Sequence, residues 1–495
     1  MSGKGHRLIA FDLGAESGRA ILGQLDGRRL ELTELHRFAN GPVRVFDRLY
    51  WDPLRLFGEL KAGLRAFAAQ HGRQLDGLGM DTWGVDFALL GRDGSLLENP
   101  RHYRDARTDG MMERAFERVP REEIFAHTGA QFMKLNTLYQ LLAMKVQASP
   151  VLEIATHFLM MPDLFNYLFT GEKVSEFTDA TTTQFYDPRQ GRWATELLAR
   201  LDLPTHFLPP IIQPGSTVGP LLASVAEECG VAAAPVLAPA THDTGSAVAA
   251  VPAATRDYAY ISSGTWSLMG VLLDEPLVAP EALRYNFTNE GGVGSTYRFL
   301  KNIMGLWLVQ ECRRTWQRQG RELSYAELAS LAAAAPPFTA RVDPDDEGFL
   351  APGDMVARIL AYLRRSGQPE PAGEGGLIRV VLESLALKYR YTLESVERIL
   401  GRAMECIHIV GGGIQNELLC QLTADATGRP VIAGPLEATA IGNLMVQALA
   451  RGYVSSADQI REVVRHSFDP VSYEPRPDAR WDAAYEHFQS LLPAA

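Results

Sequence analysis

The sequence has few cysteines, no long apolar run and no excess of basic residues, and each absence removes a class of protein. Four cysteines occur among 495 residues, with no CxxC pair, so free thiols in a reducing compartment are expected rather than disulfides or structural zinc. The first apolar run, residues 8–11, is cut off by Asp12, and no 18-residue apolar stretch follows. The expected location is therefore the cytoplasm, with no membrane partner.

The charge balance argues against nucleic acid as a partner. Lysine and arginine number 48 against 59 acidic residues, a formal net charge of −11, and 46% of the residues are hydrophobic. A basic surface patch is the usual requirement for binding phosphodiesters. The length exceeds the size at which one core keeps growing, so two domains of roughly 250 residues are expected.

The first eighty residues predict strands, a helix and a further strand. Strands are predicted at residues 7–13, 19–25, 30–38 and 75–80. Between the last two, Asp52 as N-cap and Pro53 at the first helical position open an amphipathic helix. This β, β, β, α, β order is typical of a ribonuclease H-like (actin-like ATPase) domain of the α/β class.

The second half repeats the opening of the first. Strands are predicted at residues 258–261, 267–273 and 406–410, and helices at 378–400, 416–426 and 438–450. Two tandem domains are therefore expected, 1–252 and 253–495, around a central cleft. Clefts between domains are where ligands preferentially bind.

One carboxylate stands among hydroxyl groups in the middle of the chain. Asp243 lies in the run 241–246, THDTGS, directly after the apolar stretch 236–240. A carboxylate at a strand end, surrounded by hydrogen-bonding side chains, is placed as a general base for a hydroxyl group. The alternative is an ordinary Asp-Gly turn.

Three loops have the composition of phosphate-binding turns. In residues 12–19 the glycines let backbone N–H groups approach a phosphate, while Asp12 could hold Mg²⁺ through water. Residues 262–266 and 411–413 offer hydroxyl and backbone donors to a nucleotide. The alternatives are a hairpin turn with an aspartate cap and ordinary Ser/Gly turns. A fourth run, 81–86, could contact a sugar through Trp83 and its carboxylates, or be core and turn.

The order and spacing of these motifs resemble the FGGY carbohydrate kinases over nearly the whole chain. The matching runs are DLGAESGR at 12–19, DTWGVDFALL at 81–90, YRDARTDG at 103–110, FNYLFTG at 165–171, THDTGSAV at 241–248, SSGTWSLMG at 262–270, TNEGG at 288–292, LKNIMGLWLVQ at 300–310 and HIVGGGIQN at 408–416. Three of them, DTWGVD, SSGTWSLMG and KNIMGLWL, are specific to the branch that acts on L-rhamnulose.

The resemblance implies a set of site residues and a reaction. Asp243 becomes the catalytic base that accepts the proton of the sugar O1 hydroxyl. Residues implied at ATP are Ala15, Glu16, Ser17, Gly18, Arg19, Thr265, Gln310 and Gly412; those implied at the ketose are Gly84, His242, Thr244 and Asn302; and Asp12 is implied at Mg²⁺, through water. The expected reaction is transfer of the γ-phosphoryl of Mg·ATP to O1 of L-rhamnulose, by a monomer or small homo-oligomer.

Two other functions stay open at this point. A kinase for another ketose, such as L-fuculose, would keep the ATP loops and differ only in its sugar contacts. An actin- or chaperone-type ATPase switch would use ATP to change conformation, although the His242–Thr244 cluster argues against it. Phosphorylation rates across a panel of sugars distinguish an L-rhamnulose kinase from a kinase for another ketose. ATP turnover that rises on adding a sugar distinguishes a sugar kinase from an ATPase switch.

Overall fold

The computed structural model of this protein describes residues 5–493. These residues form two compact units that are each discontinuous in sequence. Unit 1 comprises the residues up to Pro252 together with Leu272–Phe299 and Ala438–Phe468, and unit 2 comprises Ala253–Val271, Leu300–Glu437 and the residues from Asp469 onward. The division into 1–252 and 253–495 stays a prediction, since the packing adds two later segments to the first half.

Unit 1 is built on a six-stranded sheet. Its strands run in the order Thr217–Pro220, Pro235–Leu237, Gly77–Thr82, His6–Leu13, Ser17–Leu25 and Leu30–Ala39. Among the three strands nearest the N-terminus, each is antiparallel to its neighbour, whereas Gly77–Thr82 runs parallel to His6–Leu13 and to Pro235–Leu237. This parallel core brings the carboxyl ends of three strands to the same edge of the sheet.

Helices cover both faces of this sheet. Helix Pro53–His71 places Gly63 against Ala20, and its N-cap Asp52 accepts a hydrogen bond from Arg55 N, as the capping signal predicts. Helix Ala438–Ala450 packs on the opposite face, where Leu444 lies against Gly23. Residues 20 and 23 point to opposite faces because side chains alternate along a strand.

The other elements of unit 1 are short. Strand pairs are Val43–Val45 with Arg48–Tyr50, Phe87–Leu90 with His157–Met160, Tyr186–Asp187 with Arg192–Trp193, and Ser175–Glu176 with Ile211–Ile212. Helices are Ala106–Thr108, Met111–Phe116, Arg121–Thr128, Thr137–Val146, Pro150–Ile154, Met161–Thr170, Phe177–Ala180, Thr181–Thr183, Thr195–Arg200, Ala223–Cys229, Asp243–Ala249, Pro280–Arg284 and Ala457–Ser467.

The sheet of unit 2 repeats the plan of the first. Its strand order is Thr288–Gly291, Tyr297–Met304, Trp266–Leu273, Tyr258–Ser263, Cys406–Val410, Val431–Ala433 and Val471–Tyr473. The first of these strands, the start of the second and the end of the third belong to unit 1. Strand Tyr258–Ser263 pairs antiparallel with Trp266–Leu273 and parallel with Cys406–Val410. Strand His6–Leu13 of unit 1 has the same arrangement, antiparallel to Ser17–Leu25 and parallel to Gly77–Thr82. The predicted tandem repeat of strand topology is therefore present.

Helices of very different lengths complete unit 2. They are Trp307–Arg318, Tyr325–Ala334, Glu347–Phe349, Met355–Arg365, Gly373–Leu400, Gly412–Gln415, Glu417–Thr427 and Arg480–Leu491. The four cysteines are free thiols, as their spacing predicts. No helix within residues 5–493 is both long and apolar enough to span a bilayer.

Candidate active site

The segment around Asp243 begins a short helix at the carboxyl edge of the unit 1 sheet. His242 forms a parallel bridge with Thr82, the last residue of strand Gly77–Thr82. Helix Asp243–Ala249 then begins at Asp243 itself, where the alternative from the sequence was an isolated turn. The Asp243 side chain is 32% exposed, so its carboxylate is open to a bound molecule.

Two neighbours set the chemistry of the Asp243 carboxylate. Thr244 Oγ1 donates a hydrogen bond to Asp243 Oδ1 over 3.0 Å, and His242 Nε2 lies 3.6 Å from the same oxygen. Desolvation raises the pKa of Asp243, the electrostatic interaction with the neighbouring His242 opposes the rise, and the nearby Asp12 adds to it. A carboxylate whose pKa is raised accepts a proton more readily than an ordinary aspartate.

A buried glutamate holds the chain on the N-terminal side of Asp243. Glu176 Oε2 accepts hydrogen bonds from Thr241 N (3.0 Å) and Thr241 Oγ1 (2.7 Å). The same oxygen accepts from Thr178 N and Thr178 Oγ1, and this hydroxyl in turn accepts from His242 N over 3.1 Å. The Glu176 side chain therefore fixes where helix Asp243–Ala249 starts.

Asp12 lies beside a second carboxylate. In the parallel register, Asp12 is directly opposite Asp81 on the neighbouring strand. Asp81 is fully buried, with Oδ2 accepting from Asn443 Nδ2 over 2.6 Å, and desolvation followed by the charge of Asp12 raises its pKa well above the usual value. Asp12 Oδ2 pairs with Arg19 Nη2 at 2.5 Å, a contact that the sequence did not predict.

The loop after the first strand is a tight turn supported from the third strand. Gly14 N donates to Ser17 O over 2.9 Å, while Asn40 donates through Nδ2 to Gly14 O and through N to Glu16 O. Gly18 lies beneath Phe38, where a Cβ would overlap the aromatic ring. The glycine at 18 is therefore explained by packing, and Ala15 to Ser17 are half-buried at the turn.

The run at 81–86 divides into a buried pair and an accessible glycine. Asp86 Oδ2 accepts from Trp51 Nε1 (2.6 Å) and from Trp83 Nε1 (3.1 Å), and burial raises the pKa of Asp86 to about 6. Trp83 is 6% exposed and belongs to the core, as the alternative interpretation had it, whereas Asp86, which that interpretation made a turn cap, is itself fully buried. Gly84 stays half-buried, and the next residue, Val85, has a left-handed φ of 67°.

The residues predicted at ATP in unit 2 form their own group. Gln310 Nε2 donates to Thr265 Oγ1 over 3.3 Å, and Thr265 O accepts from Trp307 N over 3.0 Å. Gly412 begins the short helix Gly412–Gln415, and a Cβ at that position would meet no atom within 4 Å. Asn302 is half-buried on the strand Tyr297–Met304.

The structure thus brings the predicted residues together in separate groups. In unit 1, Asp12 contacts Arg19, and His242 and Thr244 contact Asp243. In unit 2, Thr265 contacts Gln310. Glu176 was missed although it begins the hydroxyl-rich run 176–183, because a buried acid among threonines gives no motif.

A magnesium site would need ligands from outside the chain. Within residues 5–493, no group of three or more His, Cys, Asp or Glu side chains is arranged to hold a metal. Mg²⁺ prefers oxygen ligands and keeps several waters, so one carboxylate with nucleotide oxygens is sufficient. Asp12, at the strand end and 5% exposed, offers such an oxygen beside its pair with Arg19.

The comparison with protein families identifies the chain. The N-terminal domain of the FGGY family of carbohydrate kinases matches residues 7–250, and the C-terminal domain matches residues 259–451. The chain belongs to the FGGY family of carbohydrate kinases. The FGGY enzyme is therefore a carbohydrate kinase, and ATP is the co-substrate that membership implies.

Several relatives of this FGGY kinase share about two fifths of its residues. Rhamnulokinase of Bacteroides thetaiotaomicron is 44% identical over 98% of this chain and 99% of its own length. Rhamnulokinase of Oceanobacillus iheyensis is 44% identical over 94% of this chain and 97% of its own length. Rhamnulokinase of Pectobacterium carotovorum is 42% identical over 98% of this chain and 96% of its own length. The resemblance noted in the sequence is confirmed.

Solved structures confirm the fold class of this FGGY kinase. Gluconate kinase from Lactobacillus acidophilus superposes with a TM-score of 0.79 over 98% of this chain and 96% of that chain, at 17% identity. Xylulose kinase from the same organism gives 0.78 over the same shares, at 18% identity. The two-domain α/β architecture predicted from the sequence is thus the fold of the family.

Proposed function

We propose that this FGGY kinase transfers the γ-phosphoryl group of Mg·ATP to O1 of L-rhamnulose, giving L-rhamnulose 1-phosphate and ADP. The observation that supports this ketose is the shared name of its relatives, which are 40–44% identical across nearly the whole chain. The match covers 94–98% of this chain, so it extends over both halves of the protein.

The proposed base is Asp243. Its partly exposed carboxylate, with a raised pKa, suits acceptance of the proton that O1 loses as the phosphoryl group arrives. Phosphoryl transfer has a loose transition state, so the protein acts chiefly by positioning the two substrates and stabilising charge. The hydrogen bonds that Glu176 accepts from Thr241, two residues before the base, supply this positioning for Asp243.

The proposed sugar contacts lie on both sides of Asp243 in the chain. His242 and Thr244 flank the base, and Gly84 presents backbone where a Cβ would collide with Thr182. Asn302 would add an amide that can donate to one hydroxyl and accept from another. These polar groups are proposed to read the hydroxyl pattern of the ketose.

The proposed nucleotide contacts combine backbone and side chains. The loop Ala15–Arg19 would bind phosphates through its amides and the Ser17 hydroxyl, and Gly412 would leave room for adenosine. Thr265 and Gln310, already in contact, would act as one unit. Two domains, 1–252 and 253–495, are proposed to enclose these groups in a cleft that excludes water during transfer.

Asp12 is proposed to hold Mg²⁺ through water. The ion, when bound with ATP, would neutralise charge on the β- and γ-phosphates. This chain's own part is the carboxylate of Asp12, which Arg19 keeps in place over 2.5 Å. Location in the cytoplasm and a monomeric or small homo-oligomeric state stay predictions from the sequence.

A substrate panel tests the proposed function. ADP release is measured at saturating Mg·ATP with L-rhamnulose, L-fuculose, L-ribulose, D-xylulose and glycerol, and kcat/KM is compared. A site that pairs particular hydroxyls can reject analogues by about 10⁴-fold, so L-rhamnulose should lead and glycerol should be poorest. A clear lead for L-fuculose or D-xylulose would assign another ketose. ATP turnover that does not rise on adding any of the sugars would instead indicate a conformational ATPase.

A further inference from the structure

A fully buried arginine reaches the histidine that precedes the proposed base. Arg298 is 0% exposed, on the part of strand Tyr297–Met304 that belongs to unit 1. Its Nη2 lies 3.0 Å from His242 Nδ1, its Nε donates to Gly291 O over 2.7 Å, and its Nη1 lies 3.2 Å from Glu290 Oε2. The contacts of Nη2 and Nε, together with the ion pair between Nη1 and Glu290, offset the cost of removing the charge from water.

The chemistry of the guanidinium decides which way the imidazole is protonated. Arginine keeps its protons and has no acceptor atom, so the 3.0 Å contact with His242 Nδ1 requires that nitrogen to accept. A neutral imidazole has one acceptor nitrogen and one N–H. The N–H of His242 is therefore on Nε2, the nitrogen that lies 3.6 Å from Asp243 Oδ1.

Glu290 offers the competing arrangement. Its Oε2 lies 3.2 Å from His242 Nδ1 and could accept a proton from that nitrogen. Such a tautomer would set the N–H of His242 against the N–H of Arg298, and it would leave a lone pair on Nε2 facing the Asp243 carboxylate. Both contacts would be repulsive, so the geometry favours the Nε2–H form with Glu290 paired to Arg298.

We propose that Arg298 is a positioning residue that fixes His242 as its Nε2–H tautomer, with this N–H turned toward the side of Asp243. The inference rests on the proposed function in one respect: the ketose is taken to lie beside Asp243. There the Nε2–H donates to a ketose oxygen and holds the sugar while Asp243 accepts the O1 proton. Arg298 itself touches neither substrate and acts through His242.

The tautomer is measured directly by ¹⁵N NMR of the full-length protein labelled at histidine. The resonance pair that disappears in His242→Asn assigns the ring. The parent should show an unprotonated Nδ1 and a protonated Nε2, and Arg298→Lys should show a mixture of tautomers. Arg284→Lys, which changes an exposed arginine in unit 1, should match the parent. A parent with Nδ1–H overturns the proposal without any variant having to fold.

Kinetics then separate positioning from a structural role. Arg298→Lys should lower kcat/KM for the ketose about 10- to 100-fold, while KM for ATP stays within about twofold. In a His242→Asn background the same change should cost less than about twofold, because coupled residues are not additive. Fully additive losses would overturn the proposal. It would also be overturned if the tautomer of His242 changed in Glu290→Gln but not in Arg298→Lys.

The outcome does not depend on the identity of the sugar. The NMR measurement uses no substrate, and the kinetics use whichever ketose the panel selects. If L-rhamnulose proves inert but the tautomer depends on Arg298, the proposed substrate fails and the positioning role stands. If L-rhamnulose is phosphorylated and the tautomer is indifferent to Arg298, the positioning role fails alone.

Discussion

Two regions proposed to act in one reaction are held in place by different means. Around Asp243 in unit 1, buried charged side chains fix the geometry: Glu176 accepts from the chain before it, and Arg298 contacts His242. Around residues 262–265 and 411–413 in unit 2, small residues fix it by close backbone approach. Where a proton must move, the position of a side chain matters. Where phosphates are proposed to bind, unobstructed backbone N–H groups matter more.

The largest expected effect is on the charged side of this comparison. Asp243→Asn keeps the shape of the side chain but removes the base, so kcat should fall by roughly 10²- to 10⁴-fold. Affinity for ATP, measured by calorimetry, should change little. A variant with near-parent kcat would show that another group accepts the proton, and the contrast between the two regions would lose its chemical basis.

Asp86 tests whether buried charge in unit 1 costs stability. Its pKa is raised to about 6 from 3.8, so the folded state holds the proton more tightly than the unfolded state does. The free energy of unfolding that this proton contributes is lost as pH rises through 6. The loss amounts to at most about 3 kcal/mol. Urea midpoints between pH 4.5 and 7 should therefore fall less steeply in Asp86→Asn than in the parent.

The exposed Asp47 supplies the control for that measurement, since its side chain is 90% exposed. Asp47→Asn should follow the pH dependence of the parent. Equal slopes in the parent and in Asp86→Asn would mean that the four donors around Asp86 keep it ionised at every pH, with no strain from its burial.

Adjacent glycines sharpen the backbone side of the comparison. A Cβ at Gly413 would overlap Ser263 Oγ, so Gly413→Ala should cost about 1–3 kcal/mol of stability. A Cβ at Gly412 meets no atom, so Gly412→Ala should keep the parent's melting temperature and raise KM for ATP. If the two variants lost equal stability, packing would not be what holds this loop.

The smallest effect expected is that of Glu176→Gln. The amide keeps the size of the side chain, but its neutral oxygen accepts the four hydrogen bonds more weakly, and such a loss is about 1.5 kcal/mol. We expect kcat to fall about tenfold with KM for ATP unchanged. Glu172→Gln, at an exposed glutamate four residues earlier, should leave kcat unaltered. Equal effects from both would exclude a specific role for Glu176.

Sequence patterns that are local in the chain predicted the structure well. Strand Cys406–Val410 and helix Ala438–Ala450 have the predicted bounds, because periodicity and the flanking glycines act over a few residues. The hairpin Val43–Val45 with Arg48–Tyr50 was missed, since its strands have three residues each. Helix Asp243–Ala249 begins where a turn was the local alternative.

The side chains that hold the candidate site in place could not be predicted from the sequence. Glu176 acts on Thr241 across 65 residues, and Arg298 acts on His242 across 56. Asn443 reaches Asp81 across 362 residues. Burial and tertiary contact create these roles, and neither leaves a spacing pattern. Asp243 and the loops could be proposed from the sequence because their residue types and order resemble those of the family.

The helix Ala438–Ala450 has a consequence for how the chain folds during synthesis. Its Asn443 donates to Asp81 and its Gln447 to Ile9 O over 2.9 Å, so it completes one face of a sheet whose strand His6–Leu13 lies more than 400 residues earlier in the chain. Domains generally fold as units while they emerge from the ribosome. Here the face of the first sheet that this helix covers stays open until the chain has been translated as far as Gln447, 438 residues after Ile9.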